Sequence, residues 1–216
     1  MHRIALVDLG MGNLRSVQRA LEQAATDAGA SIAVSITAEA EEIARADKVV
    51  VPGQGAFRDC AAALAGALGE AIRERIAQGT PYLGICLGLQ ALFQRSEEAP
   101  GAEGLGVFAG EVQRLAEGTI DPTTGERVKI PHMGWNEVEI LRAEGALSAF
   151  ADERAYFYFV HSYHAVPADP ALVAAVTHHG PLRITAAVQR DNVLATQFHP
   201  EKSQEAGLRL LGAFLR

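Results

Sequence analysis

The sequence predicts an α/β fold in which a mostly parallel central sheet continues into antiparallel strands at its C-terminal end. In the first half of the chain, short apolar runs alternate with stretches of helical periodicity, which is typical of parallel strands joined by crossover helices. Beyond residue 150, several strand-like runs follow one another with turn residues between them, which favours antiparallel pairing. Glycine-rich segments follow two of the early strands, and such segments meet at the carboxyl edge of a parallel sheet.

The first half supplies the parallel strands. Strands are expected at residues 3–8, 31–36, 47–51 and 82–85, with helices at 14–28, 38–45 and 57–78. The last of these helices is expected to break near Gly69, because glycine is a poor helix former. The apolar positions from Leu87 to Phe93 predict a further helix directly after the fourth strand.

The second half carries the antiparallel extension. Strands are expected at residues 107–115, 136–141, 155–160, 172–177, 182–189 and 193–198, and a closing helix at 203–215. Residues 117–127 contain Asp-Pro and Thr-Gly pairs and predict an exposed excursion. No linker or repeat divides the chain, so residues 1–216 are expected to form one domain.

Composition excludes several classes of protein. The chain is 49% apolar and 21% charged, as expected for a globular protein with a substantial core. Its net charge of −7, without a Lys/Arg stripe, argues against nucleic-acid binding. No apolar run approaches the roughly 18 residues of a membrane span, and the apolar run near the N-terminus is too short for a signal peptide. Because two cysteines make no disulfide framework, we expect a cytoplasmic protein.

The segment 84–88, Gly-Ile-Cys-Leu-Gly, joins an apolar strand to a helical pattern. This arrangement is the cysteine form of the nucleophile elbow, where flanking glycines allow the close backbone approach of a sharp turn. The thiol of Cys86 would then stand clear of the sheet at a helix N-terminus, which favours the thiolate. The alternative is a buried structural cysteine at an ordinary strand–helix joint.

A second candidate segment, His199-Pro200-Glu201, lies at the end of the last predicted strand. A cysteine nucleophile needs a base, and the base needs a group that fixes its tautomer. Residues two apart in an extended segment project to the same side, and Pro200 disfavours helix at His199. The alternative is a surface turn before the last helix.

The turn at residues 52–55, Pro-Gly-Gln-Gly, follows the third predicted strand and offers backbone N–H donors for a developing oxyanion. By itself it could be a plain tight turn. Together, the elbow, the His-x-Glu segment and this turn predict an acyl-transfer site with a cysteine nucleophile.

Other polar residues suggest no further chemistry. His132, His161 and His164 lack the spacing of metal ligands, so no metal is expected. Cys60 lies in an alanine-rich helical stretch and is expected to be a packed thiol.

The elbow at residues 84–90 and the segment His199-Pro200-Glu201 resemble those of the class I, or triad, glutamine amidotransferases. Among these, the sequence is similar to the glutaminase subunits of imidazole glycerol phosphate synthases. The similarity extends along almost the whole chain, through residues 8–17, 84–90, 131–136, 158–163 and 197–203. It implies a flavodoxin-like three-layer sandwich. Two positions depart from the family pattern: Leu9 stands where tyrosine is frequent, and Gln54 where valine is frequent. Gln54 could alter how easily the oxyanion turn moves.

The resemblance also implies a role for each site residue. Cys86 is the nucleophile, His199 the general base and acid, and Glu201 its orienting carboxylate. Gly53 and Leu87 are implied in the oxyanion hole, and the residues implied in binding L-glutamine are Gly55, Gln90, Ser162 and Tyr163. No cofactor is implied.

The implied partner is a (β/α)8-barrel cyclase, which forms a heterodimer with the glutaminase in histidine biosynthesis. The cyclase uses the ammonia to make imidazole glycerol phosphate and aminoimidazole carboxamide ribotide. The candidate residues of the partner-facing rim are Asn13, Trp135, Asn136 and Lys202; for Trp135, a core position is the alternative. An isolated subunit that hydrolysed glutamine freely would waste it, so we expect low activity without the cyclase.

Two other functions remain open at this point. The chain could be another triad hydrolase, such as a γ-glutamyl hydrolase or a glutaminase that serves vitamin B6 synthesis. It could also be a non-catalytic α/β binding module in which Cys86 is structural.

Overall fold

The computed structural model describes residues 1–151 and 153–216. In the first half, the strands are β1 (His2–Val7), β2 (Ile32–Thr37), β3 (Lys48–Gly53), β4 (Tyr82–Cys86) and β5 (Phe93–Ser96). In the second half, they are β6 (Phe108–Arg114), β7 (His132–Ile140), β8 (Ala155–His161), β9 (Tyr163–Pro167), β10 (Val173–His179), β11 (Leu182–Arg190) and β12 (Val193–Thr196). The helices are α1 (Leu14–Asp27), α2 (Ala40–Ala44), α3 (Phe57–Leu64), α4 (Ala67–Ala77), α5 (Leu87–Gln90) and α6 (Gln204–Leu215).

The main sheet has nine strands in the order β2-β1-β3-β4-β12-β11-β10-β7-β8. Its first five strands pair in parallel, and the pairs from β12 to β8 are antiparallel. The predicted α/β class, with a parallel part and an antiparallel C-terminal extension, is therefore confirmed. A second sheet, β5-β6-β9, is an addition that the sequence analysis did not predict.

Helices cover both faces of the main sheet and give three layers. On one face, α2, α3 and α4 bury side chains such as Ile43, Phe57 and Ile72 against the sheet. On the other face, α1 and α6 pack with residues such as Leu21 and Leu210. Each helix turns one apolar stripe toward the sheet, and burial of these stripes provides most of the favourable free energy of folding.

The predicted helix over residues 57–78 is two helices, and the position of the break was wrong. The chain breaks at Ala65–Gly66, where Gly66 adopts a φ of +127°, a backbone conformation that glycine tolerates best. Gly69 lies inside α4, where a Cβ would overlap the carbonyl oxygen of Leu64. This glycine therefore marks close packing of the two helices.

The helix predicted after Cys86 was also wrong in length. It is the single turn α5, and the chain then continues into β5, where the ring of Phe93 packs at a tilt against that of Phe108. A short apolar run fits a buried strand as well as a buried helix, so periodicity could not separate them. A four-residue helix has only a small dipole, and the predicted dipole effect on the thiol is correspondingly weak.

The segment over residues 117–127 is an exposed excursion, as predicted. Its ends are joined by an antiparallel bridge between Ile120 and Arg127, and Ile120 is half exposed. No helix within the described residues is long and apolar enough to cross a membrane.

Candidate active site

The nucleophile candidate lies at the end of β4 on a strained turn. Cys86 has φ 55° and ψ −103°, an unusual conformation for a residue with a side chain. A Cβ on Gly88 would overlap the carbonyl oxygen of Val51, and one on Gly84 would lie 2.6 Å from the Gly88 oxygen. Both flanking glycines are therefore required by close backbone contacts, as expected for a nucleophile elbow. The Cys86 side chain is almost buried at this edge of the sheet.

His199 and Glu201 form a buried pair beside this turn. The two side chains are 1% and 2% exposed, and His199 Nδ1 donates to Glu201 Oε1 over 2.8 Å. The backbone of His199 is extended, as predicted, but Pro200–Lys202 is a turn of 3₁₀ helix and not a continuation of the strand. Glu201 thus contacts the His199 ring as predicted, but a tight turn, and not an extended strand, brings the two side chains together.

The environment of His199 favours its protonated form. Burial lowers the pKa of His199, but the neighbouring Cys86 sulfur and the hydrogen-bonded Glu201 carboxylate together raise it to about 9. Nδ1 is occupied by Glu201, which leaves Nε2 for the thiol. By direct hydrogen-bond geometry, Nε2 has no partner among the described residues in the resting protein, so the contact with sulfur is an approach and not yet a well-aligned bond.

Gln197 is a second neighbour of the sulfur. Its Nε2 donates to Cys86 Sγ at 3.5 Å, and its Oε1 accepts from Gln90 Nε2 at 3.2 Å. Gln197 is fully buried. We predicted no role for Gln197 from the sequence, although it precedes His199 by two residues at a strand end, a spacing that projects both side chains to one side.

A cavity of about 340 Å³ opens at the sulfur. The residues of its wall that were predicted to contact glutamine or the oxyanion are Gly55, Leu87, Gln90, Ser162 and Tyr163, together with Cys86 itself. The volume suits a ligand of amino-acid size. Gln54, one of the departures from the family pattern, also lies in this wall.

Gly53 is not part of the cavity wall formed by the described residues. It is the last residue of β3 and the register partner of Cys86 on β4. A Cβ at Gly53 would approach Leu87 Cβ to 2.8 Å, so glycine permits close contact between the turn and the elbow. The Pro52–Gly55 turn therefore lies beside the nucleophile, where an oxyanion donor would be needed.

The four candidate rim residues are found in different environments. Asn13 caps α1 by accepting from the Ser16 backbone N–H at 3.2 Å. Trp135 is 48% exposed, so the core alternative was wrong, and Lys202 places its Nζ 5.8 Å from the centre of the Tyr158 ring. Asn136 follows Trp135 in β7 and therefore points to the opposite face.

Two further sequence-based expectations concern the remaining thiol and metal ions. Cys60 is fully buried, and burial raises its pKa to about 12, so it is an inert packed thiol. Within the described residues, no group of three or more His, Cys, Asp or Glu side chains has a metal-binding arrangement.

Comparison with known proteins gives a consistent result. Residues 5–215 match the model of the family "Glutamine amidotransferase class-I". The chain is 50% identical over 216 residues to "Imidazole glycerol phosphate synthase subunit HisH" of Methylococcus capsulatus, covering 100% of this chain and 97% of the relative. It is 44% identical over 216 residues to the protein of the same name from Pyrococcus furiosus, covering 100% of both.

Solved structures agree in fold. A structure of PurLQS from Thermotoga maritima has a TM-score of 0.72 and 19% identity, covering 100% of this chain and 98% of that chain. A structure described as that of a glutamine amidotransferase has a TM-score of 0.69 and 20% identity, covering 95% and 94%. The resemblance predicted from the sequence motifs is confirmed, and the chain belongs to the class I glutamine amidotransferase family.

Proposed function

We propose that this protein is the glutaminase subunit of an imidazole glycerol phosphate synthase. It hydrolyses L-glutamine to glutamate and ammonia, which serves histidine biosynthesis. The observation that carries this proposal is full-length identity of 44% to 50% with several subunits of that name from different organisms. The whole chain, residues 1–216, acts as one glutaminase domain in the cytoplasm.

The proposed mechanism starts with Cys86 and His199. His199 Nε2 takes the thiol proton, and the sulfur attacks the side-chain carbonyl carbon of glutamine, which forms a C–S bond and a tetrahedral oxyanion. Backbone N–H groups at Gly53 and Leu87 stabilise the oxyanion. Its collapse breaks the C–N bond, and His199 returns the proton to the departing nitrogen as ammonia. The strained turn at Cys86 and the raised pKa of His199 support these roles.

Water completes the reaction. His199 removes a proton from water as its oxygen attacks the carbonyl carbon of the γ-glutamyl thioester. The C–S bond then breaks, His199 returns the proton to the departing sulfur, and glutamate is released. Glu201 holds Nδ1 throughout, so that Nε2 remains the only ring atom available for proton transfer. Gln197 donates an N–H to the sulfur and stabilises its negative charge before attack and on release.

The cyclase partner is a (β/α)8 barrel that forms a heterodimer with this chain. An exposed apolar patch on β7 and β8 supports a docking surface there: Met133 is 61%, Trp135 48% and Tyr156 51% exposed. Lys202 lies next to this patch through its contact with Tyr158, which itself packs against Trp135. Asn13 lies at the carboxyl edge of β1, on the cavity side of the sheet.

Mixing the chain with a candidate cyclase, its ribotide substrate and glutamine tests the proposal. Glutamate release is expected to be low for the chain alone and to rise by at least ten-fold in the full mixture. The matched control is Cys86→Ala, which should release none under either condition. Full turnover without the cyclase would favour a stand-alone triad hydrolase, and no turnover in any mixture would favour a binding module.

A further inference from the structure

Two buried histidines lie side by side next to the cavity. His132 on β7 and His161 on β8 are register partners in the antiparallel pair, and they are 2% and 6% exposed. Their rings meet through a single N···N hydrogen bond of 3.0 Å between His132 Nδ1 and His161 Nε2. Such a bond holds one proton, so one ring must donate and the other accept.

The outer contact of His161 decides which ring donates. His161 Nδ1 lies 2.9 Å from the backbone carbonyl oxygen of Tyr163. A carbonyl only accepts, so the hydrogen resides on Nδ1, and a neutral His161 then accepts at Nε2. The hydrogen of the central bond therefore belongs to His132 Nδ1.

Asn136 confirms this direction from the other end. Its Nδ2 donates to the His178 carbonyl at 2.8 Å, and its Oδ1 accepts from the Glu137 backbone N–H at 2.8 Å, which fixes the orientation of the amide. The same Nδ2 lies 3.0 Å from His132 Nε2 and donates to it. The position of the hydrogen is then determined in each bond from Asn136 through His132 and His161 to Tyr163, and both rings are neutral.

Burial agrees with neutral rings. Burial, and after it the charge of a neighbouring histidine, lower the pKa of His161 to about 3 and that of His132 to about 4. Stacking also holds the His132 ring in place, with Phe159 on one side at 4.7 Å and His179 at 4.4 Å between ring centres.

The carbonyl of Tyr163 connects the histidines to the nucleophile. It also accepts from Gln90 Nε2 at 3.1 Å, and Gln90 uses the same amide nitrogen to donate to Gln197 Oε1 at 3.2 Å. Gln197 in turn donates to Cys86 Sγ. One continuous series of hydrogen bonds thus runs from Asn136 through the two rings to the sulfur.

We infer that His161 and His132 are positioning residues of the glutaminase, which hold the Tyr163 carbonyl and through it the amides of Gln90 and Gln197. The inference rests on the proposed function. Both ring nitrogens of His161 are engaged, so it takes no part in proton transfer although it lines the cavity. Its Nδ1–H sets the backbone next to the glutamine site, and its loss should weaken glutamine binding more than it slows chemistry.

Two substitutions at one position separate the two bonds. In His161→Asn, the side-chain nitrogen takes the place of Nδ1 and can still donate to Tyr163. In His161→Gln, the amide reaches the place of Nε2 and keeps a contact with His132, but the donor to Tyr163 is lost. His164→Gln is the matched control, because His164 is a partly buried histidine of β9 whose Nδ1 has no hydrogen-bond partner among the described residues.

The steady-state assay follows glutamate release by the complex with cyclase and ribotide. We expect the KM for glutamine to rise about ten-fold or more in His161→Gln, with a smaller change in kcat, and to stay within about three-fold of wild type in His161→Asn and His164→Gln. Equal KM values for the two His161 variants, or a loss confined to kcat, would overturn the inference. An inactive wild-type complex would instead refute the proposed function.

A second measurement needs neither a variant nor turnover. Nitrogen-15 NMR of the wild-type imidazoles at neutral pH should show both His132 and His161 with hydrogen on Nδ1 and a bare Nε2. A hydrogen on Nε2 of either ring, or a charged ring, would overturn the assigned direction of the bonds even if a variant failed to fold.

Discussion

Replacement of Glu201 by glutamine tests how the base is held. The substitution keeps the shape of the side chain and removes its charge. In the structure, Oε1 accepts from His199 Nδ1 at 2.8 Å, and Oε2 has no hydrogen-bond partner within the described residues. The buried carboxylate charge is therefore balanced mainly by the protonated His199 ring. Glu201→Gln should remove this stabilisation and make the protonated ring less stable.

The size of the effect follows from the pKa of His199. A rise from 6.5 to about 9 corresponds to about 3 kcal/mol in favour of the charged ring. The Cys86 sulfur and Glu201 both stabilise the charged ring, while burial destabilises it. The carboxylate therefore supplies on the order of 1 to 3 kcal/mol. Loss of the fixed tautomer adds to this, and we expect kcat for glutamine hydrolysis to fall roughly 10²- to 10³-fold.

The assay is glutamate release by Glu201→Gln in complex with saturating cyclase and ribotide. The KM for glutamine should change little, because Glu201 is outside the cavity wall formed by the described residues. Glu205→Gln, an exposed carboxylate in the first turn of α6, is the matched control and should retain wild-type kcat. A kcat for Glu201→Gln within three-fold of wild type would refute the assigned role.

Three further predictions follow from single contacts. Gly88→Ala should reduce the free energy of unfolding by about 3 kcal/mol or prevent folding, because its Cβ would overlap the Val51 carbonyl oxygen; chemical denaturation measures this. Gln197→Leu should slow alkylation of Cys86 by iodoacetamide at least five-fold at pH 7, because the N–H donor to the sulfur is lost. His199 should stabilise the fold fully below pH 6.5, its unfolded pKa, and lose this contribution of at most about 3 kcal/mol as pH rises through about 9; urea unfolding of wild type and His199→Gln from pH 6 to 10 measures the difference.

Each of these has a control in the same chain. Gly212→Ala introduces only ordinary contacts, the nearest at 3.6 Å, and should leave stability unchanged or slightly improved; equal losses at the two glycines would contradict the packing argument. Cys60 serves as the internal reference for alkylation and should remain unlabelled in the folded protein. For His199, a stability difference that does not change with pH would contradict its raised pKa.

The reactive centre could be predicted because its parts are encoded in short segments. A cysteine between two glycines, each two residues away, is typical of a sharp strand-to-helix turn. The His-Pro-Glu segment places the base and the carboxylate two residues apart. Local sterics thus define both halves of the triad candidate. How the halves meet depends on pairing between β4 and β12 across more than 100 residues, which only the fold-level pattern of strands suggested.

The residues that were missed depend on long-range contacts between ordinary polar side chains. Gln197 reaches Cys86 across 111 positions, and His132 reaches His161 across 29. Neither pair has a spacing that sequence periodicity could reveal. The β5-β6-β9 sheet was missed for a similar reason, since its first strand is only four residues of apolar and polar character mixed, and its partners are chosen by tertiary packing.

Covalent trapping of the nucleophile tests the role of Cys86 directly. The complex with cyclase and ribotide is treated with a glutamine-like diazo-ketone, and the digested chain is analysed by mass spectrometry. We expect one modified peptide, the one that contains Cys86, with no label in Cys86→Ala and none on Cys60. Modification of another residue, or an unmodified Cys86 in a complex that binds glutamine, would contradict the central claim that the sulfur at the end of β4 performs the chemistry.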